Sequence, residues 1–132
     1  MDSKSIVQNY YKSFNSKNYT DMMNFLSENI VHEVNQGKER KGKKLFADFL
    51  NHMDICYDEN LSDLVIYQTQ DPTKIAAEFI VNGTYKKTDA GLPEAKNQKY
   101  SLPAAAFFTV KNDKIEKIVT YYNLPKWIEL VS

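Results

Sequence analysis

Two histidines, one cysteine and a large set of tyrosines are the residues of this chain that could do chemistry near neutral pH. His32 sits in the run NIVHEVNQ, directly before Glu33. An imidazole titrates close to neutrality, so His32 is a candidate acid/base group or polar anchor. The competing reading is a hydrogen-bonded structural or rim histidine. Neighbours on a strand face opposite ways, so His32 and Glu33 form no dyad, and His32 shares its face with Val34. His52 lies beside Met53 and reads as the flank of a helix. The two histidines lack an HExxH spacing, and a single cysteine cannot build a cysteine-based zinc cluster or an intrachain disulfide. No metal and no cofactor are therefore expected. Cys56 falls on an apolar helix end, where an inert buried thiol is the usual outcome. There is no GxSxG, and the four glycines are too scattered for a phosphate loop.

Nine tyrosines stand against seven phenylalanines and one tryptophan. A buried phenol needs a partner for its hydroxyl, so this composition suggests a partly polar cavity or interface. The polar set assigned to a ligand pocket is Tyr57, Tyr85, Tyr121, Tyr122, Asn123 and Trp127, with Tyr10 from the N-terminal helix. Phe49 and Met53 would supply its apolar wall. Tyr121 and Tyr122 must face opposite sides of one strand, and the sequence leaves open which lines the pocket.

Lysine plus arginine and aspartate plus glutamate each number 17, so net charge is zero and gives no general reason to bind nucleic acid or an anionic membrane. The basic run Lys38–Lys44 (KERKGKK) has no interleaved aromatics and reads as a surface turn. No apolar run approaches the roughly 20 residues of a membrane span, and the N-terminus lacks a long apolar segment. A cytoplasmic protein is expected, with no membrane partner.

These side chains must be placed by helices in the first half and strands in the second. Ile6, Val7, Tyr10, Tyr11 and Phe14 recur at helical spacing from Ser3 to Asn15, with Ser3 or Ser5 as the cap. A short helix follows over Tyr19–Leu26, with Thr20 as its cap, then a β-like run over Asn29–Gln36. Leu45, Phe46, Phe49, Leu50 and Met53 form one stripe of a helix running from Lys43 to about Cys56. Strands are expected over Leu61–Thr69 and Ile75–Lys87, the latter with a bulge or bend at Gly83. Thr88–Asn97 is a polar loop and a candidate lid. Gln98 to Asn123 is a hairpin turned at Asn112-Asp113, residues that tolerate the positive φ of a tight turn. Neither of its strands alternates cleanly, which argues for burial on both faces. Ala104, Ala105 and Ala106 leave space that something else must fill. Pro125 opens a terminal helix carrying Trp127 and Ile128. Segregated helices and antiparallel strands mean α+β, in one domain over residues 1–132.

The phrases NYYKSFNSKNYTDMMNFLSENIVHEVNQG, GKKLFADFL, AAEFIVNGTY and LPAAAFFTVKNDKIEKIVTYYN, in this order, resemble the nuclear transport factor 2-like superfamily, in its SnoaL-like and ketosteroid-isomerase-related branch. The resemblance implies a cone-shaped curved antiparallel sheet wrapped on three N-terminal helices, a cystatin-like α+β roll. It also implies an apolar pocket and a homodimer formed through the outer sheet face. Tyr10 looks similar in position to the isomerases' oxyanion-binding tyrosine. Their two aspartate positions fall at Val34 and near Ala105, and the acid of the SnoaL-type cyclases falls at Asn123. An amide cannot shuttle a proton at neutral pH. With the usual acids missing, His32 and Tyr10 become the candidate catalytic groups. The function expected is a small-molecule pocket, acting as an isomerase or cyclase on a small hydrophobic cyclic compound. The alternative is a non-catalytic ligand-binding or dimeric interaction module.

Overall fold

A computed structural model describes all residues, Met1–Ser132. The order is α1 (Ser3–Asn15), α2 (Tyr19–Asn24), β1 (Leu26–Val34), β2 (Arg40–Lys41), α3 (Lys43–Cys56), β3 (Tyr57–Gln68), β4 (Lys74–Tyr85), β5 (Gln98–Lys111), β6 (Lys114–Tyr122) and α4 (Leu124–Val131). The six strands form one sheet in the order β2-β1-β6-β5-β4-β3. The pairs are antiparallel except β1 with β6, which run parallel. The architecture is the expected α+β roll, a curved, unclosed sheet with helices on its concave side.

Local chemistry explains the elements. α1 buries Ile6, Val7, Tyr10 and Tyr11, one stripe of a 3.6-residue period. Its cap is Asp2, whose side chain accepts from the Ser5 N–H, rather than Ser3 or Ser5. Likewise Asn18, not Thr20, caps α2 through the Asp21 N–H. α2 also ends earlier than its apolar pattern suggests. The Phe25 carbonyl accepts from the Ile115 N–H at 2.8 Å, and Leu26 pairs with Ile115, so the sheet captures the segment. The turn between β5 and β6 is as expected, with Asn112 and Asp113 at φ 52° and 61°.

Three expectations about the strands need correction. β5 alternates strictly between buried and open side chains, so its outer face is not covered by this chain. The sequence hid that alternation because Ala105, Phe107 and Tyr121 make the outer face apolar too. Gly83 carries no bulge: Asn82, Gly83 and Thr84 pair in unbroken register with Ser101, Tyr100 and Lys99. The register shifts lie instead between Leu26 and Val31 on β1, between Ser62 and Val65 on β3, where Asp63 has φ 54°, and between Thr109 and Val110. Such irregularities bend a strand and increase its twist. Finally, β3 begins at Tyr57, because the polar run YDEN pairs with Asn82–Tyr85 of β4.

The main core lies between the helices and the concave face, with Ile6, Val7, Phe46, Phe108, Ile115 and Ile118 among its members. A second cluster, centred on Trp127 of α4, holds Cys56, Tyr57, Tyr85, Tyr100 and Leu102. The two clusters leave a hollow between them.

Candidate functional site

The hollow is a cavity of about 430 Å³ lined by 27 residues, 19 of them hydrophobic. That volume suits a small ligand, and the apolar wall sets its chemistry. Seven of the residues singled out from the sequence line it: Tyr10, His32, Phe49, Met53, Tyr57, Tyr122 and Trp127. Three do not. Tyr85 is fully buried behind the wall, stacked on Tyr57 with ring centroids 5.4 Å apart. Tyr121 points to the outer face, 37% exposed, which leaves Tyr122 as the inward member of the pair. Asn123 lies past the end of β6, where its side chain caps α4 through the Lys126 N–H.

His32 is buried on β1 between the rings of Phe46 and Phe49, at centroid distances of 5.0 and 4.7 Å. Its Nδ1 has no hydrogen-bond partner. Burial, and then the charge of Arg40 opposite it in the β1–β2 ladder, pushes its pKa down to about 4. The ring is therefore neutral at neutral pH. Arg40 itself lies over the Phe49 ring at 4.5 Å. The run read as a basic surface turn thus sends one side chain to the cavity wall. Tyr10 packs edge-on against Tyr11 and Phe108, and burial raises its pKa, keeping its phenol a proton donor.

Three acids in the cavity wall, Asp54, Glu59 and Asp89, were not singled out from the sequence, and Asp54 accepts from the Tyr19 hydroxyl at 2.9 Å. Glu59 on β3 accepts a hydrogen bond from the Tyr100 hydroxyl. Burial raises its carboxyl pKa, opposed by that hydrogen bond and by the charge of Lys17. Lys17 donates to the Glu59 backbone carbonyl and stands 3.7 Å from the Asp58 carboxylate. The strand alternation would have marked Glu59 had β3 been started at Tyr57.

Asp89 comes from the loop 86–97 between β4 and β5. Tyr57 donates to its Oδ2 at 2.7 Å, and His52 Nε2 lies 2.8 Å from its Oδ1. The Asp89 N–H donates to the Tyr85 hydroxyl, which in turn donates to the Pro93 carbonyl at 2.6 Å. The loop expected to act as a lid is thereby tethered to the sheet at its cavity side. His52, Cys56 and Asp89 also bring one donor atom each within 4.8 Å of one another. No local sequence signal joins Asp89 to a helix more than thirty residues earlier; only the i, i+4 spacing of His52 and Cys56 is legible.

Residues 7–118 match the SnoaL-like domain family. The chain is similar to a candidate polyketide cyclase from Pseudomonas putida KT2440, at 42% identity over 100% of this chain and 99% of that one, with a TM-score of 0.97. A candidate polyketide cyclase from Silicibacter sp. TM1040 is 48% identical over 97% of this chain and 93% of that one, with a TM-score of 0.95. A protein of ketosteroid isomerase-like fold from Catenulispora acidiphila, solved with trimethylamine, shares the fold at 14% identity and a TM-score of 0.72, over 90% of this chain and 85% of that one. No curated protein matches the sequence. No helix is long and apolar enough to cross a membrane.

Proposed function

This chain belongs to the SnoaL-like domain family of the nuclear transport factor 2-like superfamily, and we propose that its cavity binds a flat, mainly apolar cyclic compound and catalyses a proton-transfer isomerisation or ring closure on it. The observation that carries this reading is the Glu59 carboxyl group in a mainly apolar cavity wall, where burial raises its pKa and makes it a better proton acceptor than a free carboxylate. The acid positions that the family resemblance implies fall at Val34, near Ala105 and at Asn123, and of these only Val34 lines the cavity. Glu59 replaces them from a different strand. Its carboxylate takes a proton from a carbon beside a carbonyl. The enolate oxygen is held by two neutral donors, Tyr10 and His32, both of which line the wall. The proton then returns to another carbon of the substrate, completing an isomerisation. In a ring closure the enolate carbon forms the new carbon–carbon bond, and the proton goes to the alkoxide that results.

The outer face of the sheet supports a homodimer. Phe107 is 52% exposed and packs edge-on against Tyr121, with Val65 and Tyr67 also open on the sheet. A second copy covering this face would remove that apolar surface from water.

The test is hydrogen–deuterium exchange at the α-carbon of cyclic ketones that raise the melting temperature of the protein. Wild-type protein should catalyse the exchange, and Glu59→Gln should bind the same compounds while exchanging them roughly 10²–10⁴-fold more slowly. Undiminished exchange in the variant overturns the role of Glu59. Binding without exchange in the wild type favours the second reading, a non-catalytic binding module, to which the empty acid positions already lend support.

A further inference from the structure

We infer that His52, Cys56 and Asp89 form a binding site for a divalent transition-metal ion, zinc above all, at the edge of the cavity. His52 and Cys56 lie one turn apart on α3, so their side chains leave the same face of the helix. Asp89 meets them from the other side. The Lys86 and Lys87 N–H groups both donate to the Cys56 carbonyl, at 2.8 and 3.2 Å, and so clamp the start of the Asp89 loop onto the end of α3.

The donor set suits the ion. Imidazole, thiolate and carboxylate are all ordinary zinc ligands, and three of them with one open position is the arrangement of reactive rather than purely structural sites. In a tetrahedral zinc site the ligand atoms stand roughly 3.3–3.5 Å apart, as follows from bond lengths near 2.0 Å to N and O and 2.3 Å to S. Here the His52–Asp89 pair is 2.8 Å apart and the whole set falls within 4.8 Å. Small side-chain rotations bring the set to that spacing. The ligating carboxylate is already oriented: Tyr57 holds Oδ2, leaving Oδ1 for the ion, and Tyr85 holds the backbone N–H. Outer partners of this kind fix a ligand's direction and raise metal affinity.

Binding converts the Cys56 thiol to a thiolate and releases its proton to solvent. One thiolate and one carboxylate then balance the two positive charges. His52 and Asp89 line the cavity while Cys56 lies behind them. The fourth position therefore opens towards the cavity, to water or to a ligand oxygen. This site shares no residue with Glu59 and does not depend on the proton-transfer reading.

The test uses the full chain and the metals alone. Protein dialysed against excess zinc and then against buffer should retain close to one zinc per chain. Cobalt(II) should give the near-ultraviolet thiolate-to-cobalt absorption and the strong visible bands of a four-coordinate ion. Zinc should raise the melting temperature of the wild type, since a ligand that binds only the folded state must do so. Cys56→Ala should lose the ultraviolet band, and His52→Ala should weaken zinc binding at least tenfold. Circular dichroism of both variants without metal confirms that they fold, and His52→Ala, half-exposed on the helix, is the safer of the two. Glu59→Gln should leave the cobalt spectrum unchanged. Folded wild type that retains no zinc and shows no thiolate band, or variants that bind as the wild type does, overturns the site.

Discussion

Tyr100 reaches across Gly83 to put its hydroxyl on the carboxylate of Glu59. Glu59 pairs with Gly83, and Gly83 pairs with Tyr100, so the three residues form one rung across β3, β4 and β5. A Cβ on Gly83 would stand 2.3 Å from Tyr100 Cζ and 2.4 Å from its hydroxyl oxygen. The glycine is there because an aromatic ring occupies the place of its side chain. The same rung delivers a hydrogen bond to the one carboxyl group proposed for proton transfer.

Gly83→Ala should therefore act twice. Tyr100 is buried against Trp127, with ring centroids 5.8 Å apart, and has little room to swing away. The added methyl should cost about 1–3 kcal/mol, the range for overpacking. It should also part Tyr100 from Glu59. Thermal unfolding reads the first effect, and α-carbon exchange of bound ketones reads the second. Tyr100→Phe should change exchange without the full loss of stability, which separates the two.

His32 should make the fold acid-sensitive. Its folded pKa is depressed, from 6.5 to about 4. Between those values the unfolded chain binds the extra proton and the folded chain does not. Stability from this group is thus fully present above pH 6.5 and is lost as pH falls towards 4, about 3 kcal/mol in all. Urea melts at intervals from pH 7.5 to 4 should show the slope, and His32→Leu should flatten it. An equal slope in the variant would place the sensitivity elsewhere.

Tyr57→Phe removes the hydroxyl that holds Asp89 Oδ2. Leaving a partly buried carboxylate oxygen without its donor should cost about 1–3 kcal/mol. The loss should appear locally, because Asp89 ties the loop 86–97 to the sheet. Amide exchange in that loop should speed up well before exchange in β4 and β5, whose ladders remain paired.

Phe107→Lys tests the proposed homodimer. A charge at the centre of a covered apolar patch should raise the dimer dissociation constant at least tenfold, read by light scattering across a dilution series. The fold should survive, since Phe107 is open to solvent in the single chain. Unchanged mass in the variant would move the interface off this face.

Short-range rules made the helices, the long strands and the Asn112-Asp113 turn legible along the chain. Periodicity places α1 and α3, and positive-φ residues place the hairpin. Tyr10, Phe49 and Met53, on the apolar stripes of their helices, line the cavity wall, and so does His32, which the residues alone left between a pocket and a structural role. Elements that borrow stability from distant partners were hidden. Leu26 reads as helix until Ile115 pairs with it, and the polar YDEN reads as loop until β4 runs alongside. The same holds for the reactive groups. Glu59 needs Tyr100 across two strands, and Asp89 needs Tyr57 and His52 from elsewhere in the chain. Which charges meet in a cavity is decided by strand register and loop closure. Those are properties of the packed chain, and no local spacing of residues encodes them.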